Sequence, residues 1–366
     1  MFTEIEALGF RCLRHVRQPL GPFHVLAGPN GSGKSAFLDV IALLGAMVSD
    51  GLEAAIAERA RAFDDLVWMR CGAGFELAIE AAIPAGRRRA PGGADYDRVR
   101  YEAALSTDSG GPAILTEKVL VKAPPPPGQQ PLFSDTTEPP ATILTPRTAK
   151  GARTVIHKVP GGNDNFYAET GNGWDHAFRL GPRKSALANL PEDETAFPVA
   201  TWLKGLLAGG VRRLDPEPGL STLPGAVETL RARQPERFRE WIAGLRAALP
   251  DLEDIRGGPH GLALRYITGL EIPSRMASAG TLRLLALTLP AYFPGSSGVY
   301  LADAPENGLD PRAVECAARS LASIPGVQIL AATHSPAFLA GVAPENILCF
   351  SKTPEGATVV TPGRAS

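Results

Sequence analysis

The stretch Gly28-Pro-Asn-Gly-Ser-Gly-Lys-Ser35 matches the pattern G-x-x-x-x-G-K-[ST]. A chain of this composition produces that pattern by chance in only about 1% of cases. It also stands where its chemistry requires. Phe23–Ala27 (FHVLA) is a short apolar run ending at glycine, and Phe37, Leu38, Ile41 and Leu44 follow near helical spacing. A strand, a glycine loop and a helix are expected in that order. Glycines let the backbone curl until successive N–H groups face an anion, and a helix amino end adds partial positive charge. Gly28, Asn30, Gly31, Ser32 and Gly33 would line a triphosphate, with Lys34 reaching its β- and γ-phosphates and Ser35 its Mg2+. ATP and Mg2+ are the expected ligands. A glycine turn that only caps a helix is the plainer reading, and the strand–loop–helix context weighs against it.

Outward from this loop, Phe2–Leu8, Phe75–Ile83 and Arg98–Leu105 alternate apolar and polar residues, which predicts a small antiparallel sheet beside the first helix. The last hundred residues alternate strands (Leu262–Ile267, Gly298–Ala302, Val327–Ala332, Ile347–Phe350) with helices (Gly280–Ala291, Pro311–Ser323, Pro336–Ala340). That order implies a mostly parallel sheet and an α/β class. The middle differs. It holds a proline-rich stretch over 122–147, expected as an exposed extended loop, then a turn-rich 161–173. Helical stretches follow at Asp193–Ala208 and Pro224–Leu249, with no heptad repeat. The expected organisation is a core built from 1–84 and 262–366, with 85–261 inserted as a mixed, helical lobe.

Composition narrows the function classes. With 37 Lys+Arg against 38 Asp+Glu, the chain is not a uniformly basic coat for nucleic acid, though a local patch is allowed. Cys12, Cys71, Cys316 and Cys349 are widely spaced, which excludes a disulfide scaffold or zinc ribbon and reads as four core thiols in a reducing compartment. The first 15 residues lack a signal-peptide shape, and the best apolar stretch, Leu282–Phe293, is interrupted by Arg283 and Pro290. A cytoplasmic protein with no membrane partner is expected.

A phosphate loop needs a magnesium carboxylate at a strand end, and Val299-Tyr-Leu-Ala-Asp303 offers one. From there, Ala302-Asp-Ala-Pro-Glu-Asn-Gly-Leu-Asp-Pro311 resembles the Walker B and D-loop segment of ABC-type ATPases, in particular the SMC, RecF and overcoming-lysogenisation-defect group. Met276-Ala-Ser-Ala-Gly-Thr-Leu282 is similar to that group's signature, and Thr333-His-Ser-Pro336 to its switch histidine. Order and spacing agree over about 1–84 and 262–366. The resemblance implies a P-loop fold whose two copies face head to tail around ATP, a homodimer. Ser278, Gly280 and Thr281 of one copy would then meet the γ-phosphate held by Lys34 of the other. His334 would bond the same phosphate, Asp303 would hold Mg2+ with Ser35, and Asp310 would couple the two sites. It further implies DNA maintenance or antiviral defence, with a nuclease or toxin as effector.

The departures bear on catalysis. The group carries Glu after the magnesium Asp, as general base; here that position is Ala304, by natural drift or deliberate replacement. Loss of a general base typically costs about 10²–10⁴ in rate. Glu306 is either a substitute base or a structural residue of the D-loop turn. The segment Asp64–Gly74, where a Q-loop would sit, has no Gln. The leading function is an ATP-driven switch, and the alternative is a scaffold that clamps nucleotide without turnover. Arg87-Arg88-Arg89 and Arg212-Arg213 are candidate nucleic-acid contacts or solvated charge, and prolines 124–127 a spacer or partner ligand.

Overall fold

The computed structural model describes residues 1–88, 96–124, 138–146, 149–169, 175–214, 223–258, 261–293 and 297–363. Strands β1 (Phe2–Phe10), β2 (Leu13–Pro19) and β3 (Phe23–Ala27) lead to helices α1 (Lys34–Ser49) and α2 (Leu52–Ala57). Six strands follow: β4 (Gly74–Ala82), β5 (Arg98–Asp108), β6 (Gly111–Lys122), β7 (Ala152–Lys158), β8 (Asp164–Phe166) and β9 (His176–Phe178). Then come α3 (Pro198–Gly205), β10 (Val211–Arg213), α4 (Leu223–Arg233), α5 (Pro235–Leu245), β11 (Leu252–Gly258), β12 (Gly261–Tyr266) and β13 (Glu271–Pro273). The remainder is α6 (Ala279–Thr288), β14 (Gly298–Asp303), α7 (Pro311–Ala322), β15 (Val327–Thr333), α8 (Pro336–Leu339), β16 (Ile347–Lys352) and β17 (Thr358–Pro362). Two compact units result, one of residues 1–21, 31–211 and 350–360, the other of 22–30, 212–349 and 361–366.

The first unit carries an eight-stranded antiparallel sheet in the order β2-β1-β4-β5-β6-β7-β8-β9. β4 pairs in continuous register with β5, from Gly74↔Ser106 to Ala82↔Arg98. One face is apolar, with Ile5, Ala7, Leu77, Ile79, Tyr101 and Ala103 buried, and α1 packs against β1 and β4. The sheet is larger than the small one expected from sequence. β6 buries Glu117 and Lys118 among its apolar residues, so its period-2 signal is lost. The other face is charged: Arg100 donates to Glu6 at 2.7 Å and to Glu102 at 2.6 Å, and Ile143 and Thr145 hydrogen-bond over it. Paired buried charges of this kind hold a chain in place more than they stabilise it. Of the expected 122–147 loop, residues 125–137 and 147 lie outside the described residues, as does Arg89.

In the second unit β14, β15, β3 and the first residues of β16, Ile347–Cys349, lie side by side in parallel. Val25, Tyr300, Ala302, Ile329 and Ala331 pack with α7 residues Val314, Ala318 and Leu321. A second cluster joins α4, α5, α6 and β11–β12 around the fully buried Trp241, whose indole N–H donates to Thr288 at 2.9 Å.

Three expectations need correction. Pro224–Leu249 is two helices, because Pro235 has no N–H to donate and its ring blocks the preceding turn. Helix over 193–208 starts only at Pro198, since Asp193 turns its carboxylate onto the N–H groups of Thr195 and Ala196 and holds a loop. Of the cysteines only Cys316 is buried; Cys71 and Cys349 are exposed, on a loop and a strand end. No helix among the described residues is long and apolar enough to cross a membrane.

Candidate nucleotide site and switch segments

Parallel pairing aligns the strand ends. Asp303 lies opposite Ala332, Thr333 opposite Ala27, and Ala27 opposite Cys349. The residues that leave β3, β14 and β15, namely Gly28, Ala304 and His334, therefore emerge at one carboxyl edge. This is where open α/β sheets receive ligands.

The phosphate loop follows from its glycines. Gly31 (φ 76°) and Gly33 (φ 106°) take backbone conformations that L side chains rarely adopt. α1 then starts at Lys34 with no side chain capping it and no acidic residue in its first turn. An uncapped helix amino end is an anion site in waiting. Lys34 is buried, Ser35 is exposed, and the buried Ser32 hydroxyl has no hydrogen-bond partner. The loop is backed from elsewhere in the first unit. Thr358 Oγ1 donates to the Ser32 carbonyl at 2.9 Å, and Thr358 N donates to the Cys12 carbonyl at 2.9 Å. A Cβ on Gly33 would run into Thr358 Oγ1 and lie 3.1 Å from Cys12 Sγ. Beside Cys12, Arg11 pairs with Asp39 of α1 at 2.9 Å, and Arg59 meets the same carboxylate at 2.8 Å.

The signature segment is locally a helix cap. Ser278 Oγ accepts from Thr281 N at 3.1 Å and lies 2.9 Å from Thr281 Oγ1. Gly280 has a tertiary reason to be glycine, because a Cβ there would run into the Gly308 carbonyl oxygen of the D-loop. About one turn further, the buried Arg283 donates to the Ala304 carbonyl at 2.7 Å. Ala304 itself sits in the left-handed region (φ 48°), unusual for a residue with a side chain, and its N–H extends the ladder to Ala332 at 2.9 Å. Asp310 caps α7 through the N–H groups of Arg312 (2.9 Å) and Ala313 (3.2 Å).

Glu306 joins two of the segments singled out from sequence. Its Oε1 accepts from Thr333 Oγ1 at 2.6 Å and from His334 N at 3.0 Å, with His334 Nδ1 at 3.3 Å. Its Oε2 is enclosed and has no hydrogen-bond partner. Asp303, Ala304, Glu306, Asp310, His334 and the Ser278–Thr281 segment all lie in the second unit.

Several of these residues escaped sequence reasoning. Thr358, Cys12, Arg11 and Arg283 act through partners far along the chain, and no local pattern marks them. Arg87 and Arg88 are engaged within their own unit, Arg87 on Glu194 and the Pro198 carbonyl, Arg88 on the Ile83 carbonyl. In the 64–74 segment, Met69 and Arg70 both have left-handed backbones (φ 52° and 55°).

Residues 23–340 match the model of a family described as "AAA domain, putative AbiEii toxin, Type IV TA system". No curated protein matches the chain. Among solved structures it is similar to an SmcHead bound to the C-winged helix domain of ScpA, with TM-score 0.53 and 16% identity, over 98% of this chain and 97% of that one. It is also similar to an Smc head domain with an extended coiled coil, bound to the C-terminal domain of ScpA, from Pyrococcus furiosus. There the TM-score is 0.52 at 14% identity, covering 98% of this chain and 95% of that one. At such identities the likeness concerns the fold, that of an SMC-type head.

Proposed function

The chain belongs to this AAA family, and from that premise we propose that it is an ATP-driven switch that closes on a second copy of itself and controls a partner effector. The observation that carries this reading is the loop 28–35, with two left-handed glycines, a buried Lys34 and an uncapped α1. Its backbone N–H groups would hold the triphosphate, and Lys34 would neutralise the β- and γ-phosphates. Ser35 and Asp303 would each offer an oxygen, the donor type a Mg2+ ion prefers. Bound there, Mg2+ would offset charge on the transferring phosphoryl group.

Ser278, Gly280 and Thr281 would present the amino end of α6 to the γ-phosphate of the other copy. Asp310, fixed as a helix cap, would set the D-loop between the two copies. The family description names a toxin of a type IV toxin–antitoxin system, which supports a role in defence with a toxin or nuclease as effector. The assay is Mg-ATP binding and light scattering with the parent and Lys34→Ala. The parent should bind and dimerise, and the variant should lose at least about tenfold in affinity, 1.4 kcal/mol. Equal affinity refutes the reading.

Ala304 favours a second reading, a scaffold that clamps ATP without turnover. Steady-state ATPase activity of the parent beside Ala304→Glu separates the two. A rise of about a hundredfold supports the scaffold, and equal rates show that another group serves as base.

A further inference from the structure

We propose that the first unit carries a pocket for a small carboxylic acid with an apolar body, held by Arg179 and by the unspent hydrogen of the Lys158 ammonium. None of the lining residues belongs to the loop 28–35, so the site stands apart from the nucleotide reading. A cavity of about 290 Å3 opens among the start of β6, the turn after β7 and the segment after β9, all within that unit. Ala113, Ile114, Val159, Pro160 and Pro182 give it apolar walls, and Lys158, Arg179 and Asp108 give it charge. Pockets for small molecules begin at about 300 Å3 and combine apolar walls with a few polar groups.

The walls are fastened before any ligand arrives. The Ile114 N–H donates to the Pro182 carbonyl at 2.7 Å, and the Leu180 N–H to Asp164 Oδ2 at 2.7 Å. Pro160 and Gly161 (φ 67°) form a tight turn closed by the Gly162 N–H on the Val159 carbonyl at 3.2 Å. Lys158 brings a buried charge, its side chain only 4% exposed. Its Nζ donates to Asp164 Oδ1 at 2.6 Å and to the Gly181 carbonyl at 2.7 Å. An ammonium has three hydrogens to donate, so one has no acceptor among the described residues. A buried donor costs free energy until a ligand or a water takes it.

The charges select the ligand. Asp164 offsets Lys158, and Asp108 is occupied by Arg183 and by the Gly110 N–H, both at 2.8 Å. Arg179 is exposed and makes no hydrogen bond or ion pair among the described residues, so it is the lining cation left over. One unmatched positive charge suits a monoanion. A guanidinium presents parallel N–H donors that fit a carboxylate, whereas a phosphate monoester would bring about −1.5 to −2 charges. The apolar walls then call for a short branched or aromatic body on the acid.

The test is saturation-transfer NMR of the full chain, without nucleotide, with isocaproate, its neutral amide, and inorganic phosphate as competitor. Isocaproate should bind with a Kd of about 1 mM or below, and the amide at least about tenfold more weakly. Phosphate should displace the acid only at about tenfold higher concentration. Arg179→Gln, a change at an exposed side chain, should weaken isocaproate binding at least about tenfold. So should Leu115→Glu, which sets an anion at an exposed position of the lining. No binding at about 10 mM overturns the pocket, and an amide that binds as tightly as the acid overturns the part given to charge. Phosphate that competes at equal concentration reduces the site to a general anion patch and overturns the assignment of a carboxylic acid. Affinity within about threefold of the parent in Arg179→Gln or Leu115→Glu places the binding elsewhere and refutes the proposal. Should a variant fail to fold by circular dichroism, the parent's preference for acid over amide and phosphate decides alone.

Discussion

Replacing Gly33 by Ala should be among the costliest single changes in the phosphate loop, and two separable effects set the amount. The backbone at Gly33 has φ 106°, which an L side chain tolerates at a cost of about 1–3 kcal/mol. The added methyl also runs into Thr358 Oγ1, with Thr358 Cγ2 3.0 Å away, so the Thr358 side chain must move. Moving it breaks the 2.9 Å bond to the Ser32 carbonyl, and an unsatisfied buried acceptor costs about 1–3 kcal/mol more. The sum, about 2–6 kcal/mol, is a large share of the total stability of a typical domain, about 5–15 kcal/mol. Thr358→Ala isolates the second part, because it removes the two nearest of the three atoms that crowd the methyl, leaving only Cys12 Sγ at 3.1 Å. In guanidinium unfolding followed by tryptophan fluorescence, Gly33→Ala with Thr358→Ala should fall short of the summed single losses by about 1–3 kcal/mol. A Gly33→Ala chain within about 0.5 kcal/mol of the parent refutes the buttress. So does strict additivity of the two changes.

Gly280→Ala should cost about 1–3 kcal/mol by forcing α6 away from the Gly308 carbonyl, and light scattering should show weaker Mg-ATP-dependent dimerisation. Stability near neutral pH should depend on Glu169, whose carboxyl is pushed up from 4.5 to about 7 by burial, against the Ala200 and Val199 N–H groups that pull it down. The folded chain binds this proton more tightly than the unfolded one, so stability is highest below about pH 4.5. It should fall by about 3 kcal/mol as pH rises through 7. Thermal unfolding of Glu169→Gln between pH 5 and 7.5 should lose this slope; an unchanged slope assigns it to another group.

The phosphate loop could be read directly, because its chemistry is local. Glycine tolerance of positive φ, the strand Phe23–Ala27 and the helix opening at Lys34 all arise from neighbours within a few residues. Asp303 at the end of an apolar strand and the Ser278 cap were legible for the same reason. The Pro235 break was legible too, yet a run of apolar residues at helical spacing masked it.

What only the folded chain decided is pairing between distant positions. Thr358 reaches Ser32 across 326 residues of sequence, and Glu306 meets Thr333 and His334 from another loop. β6, β7, β8 and β9 enlarge the antiparallel sheet while carrying buried charged groups such as Glu117 and Lys158. Such groups look like surface residues until their partners arrive. Hydrogen bonds and ion pairs of this kind form only once burial removes water, and nothing in a short window of sequence records which strand will come to lie alongside.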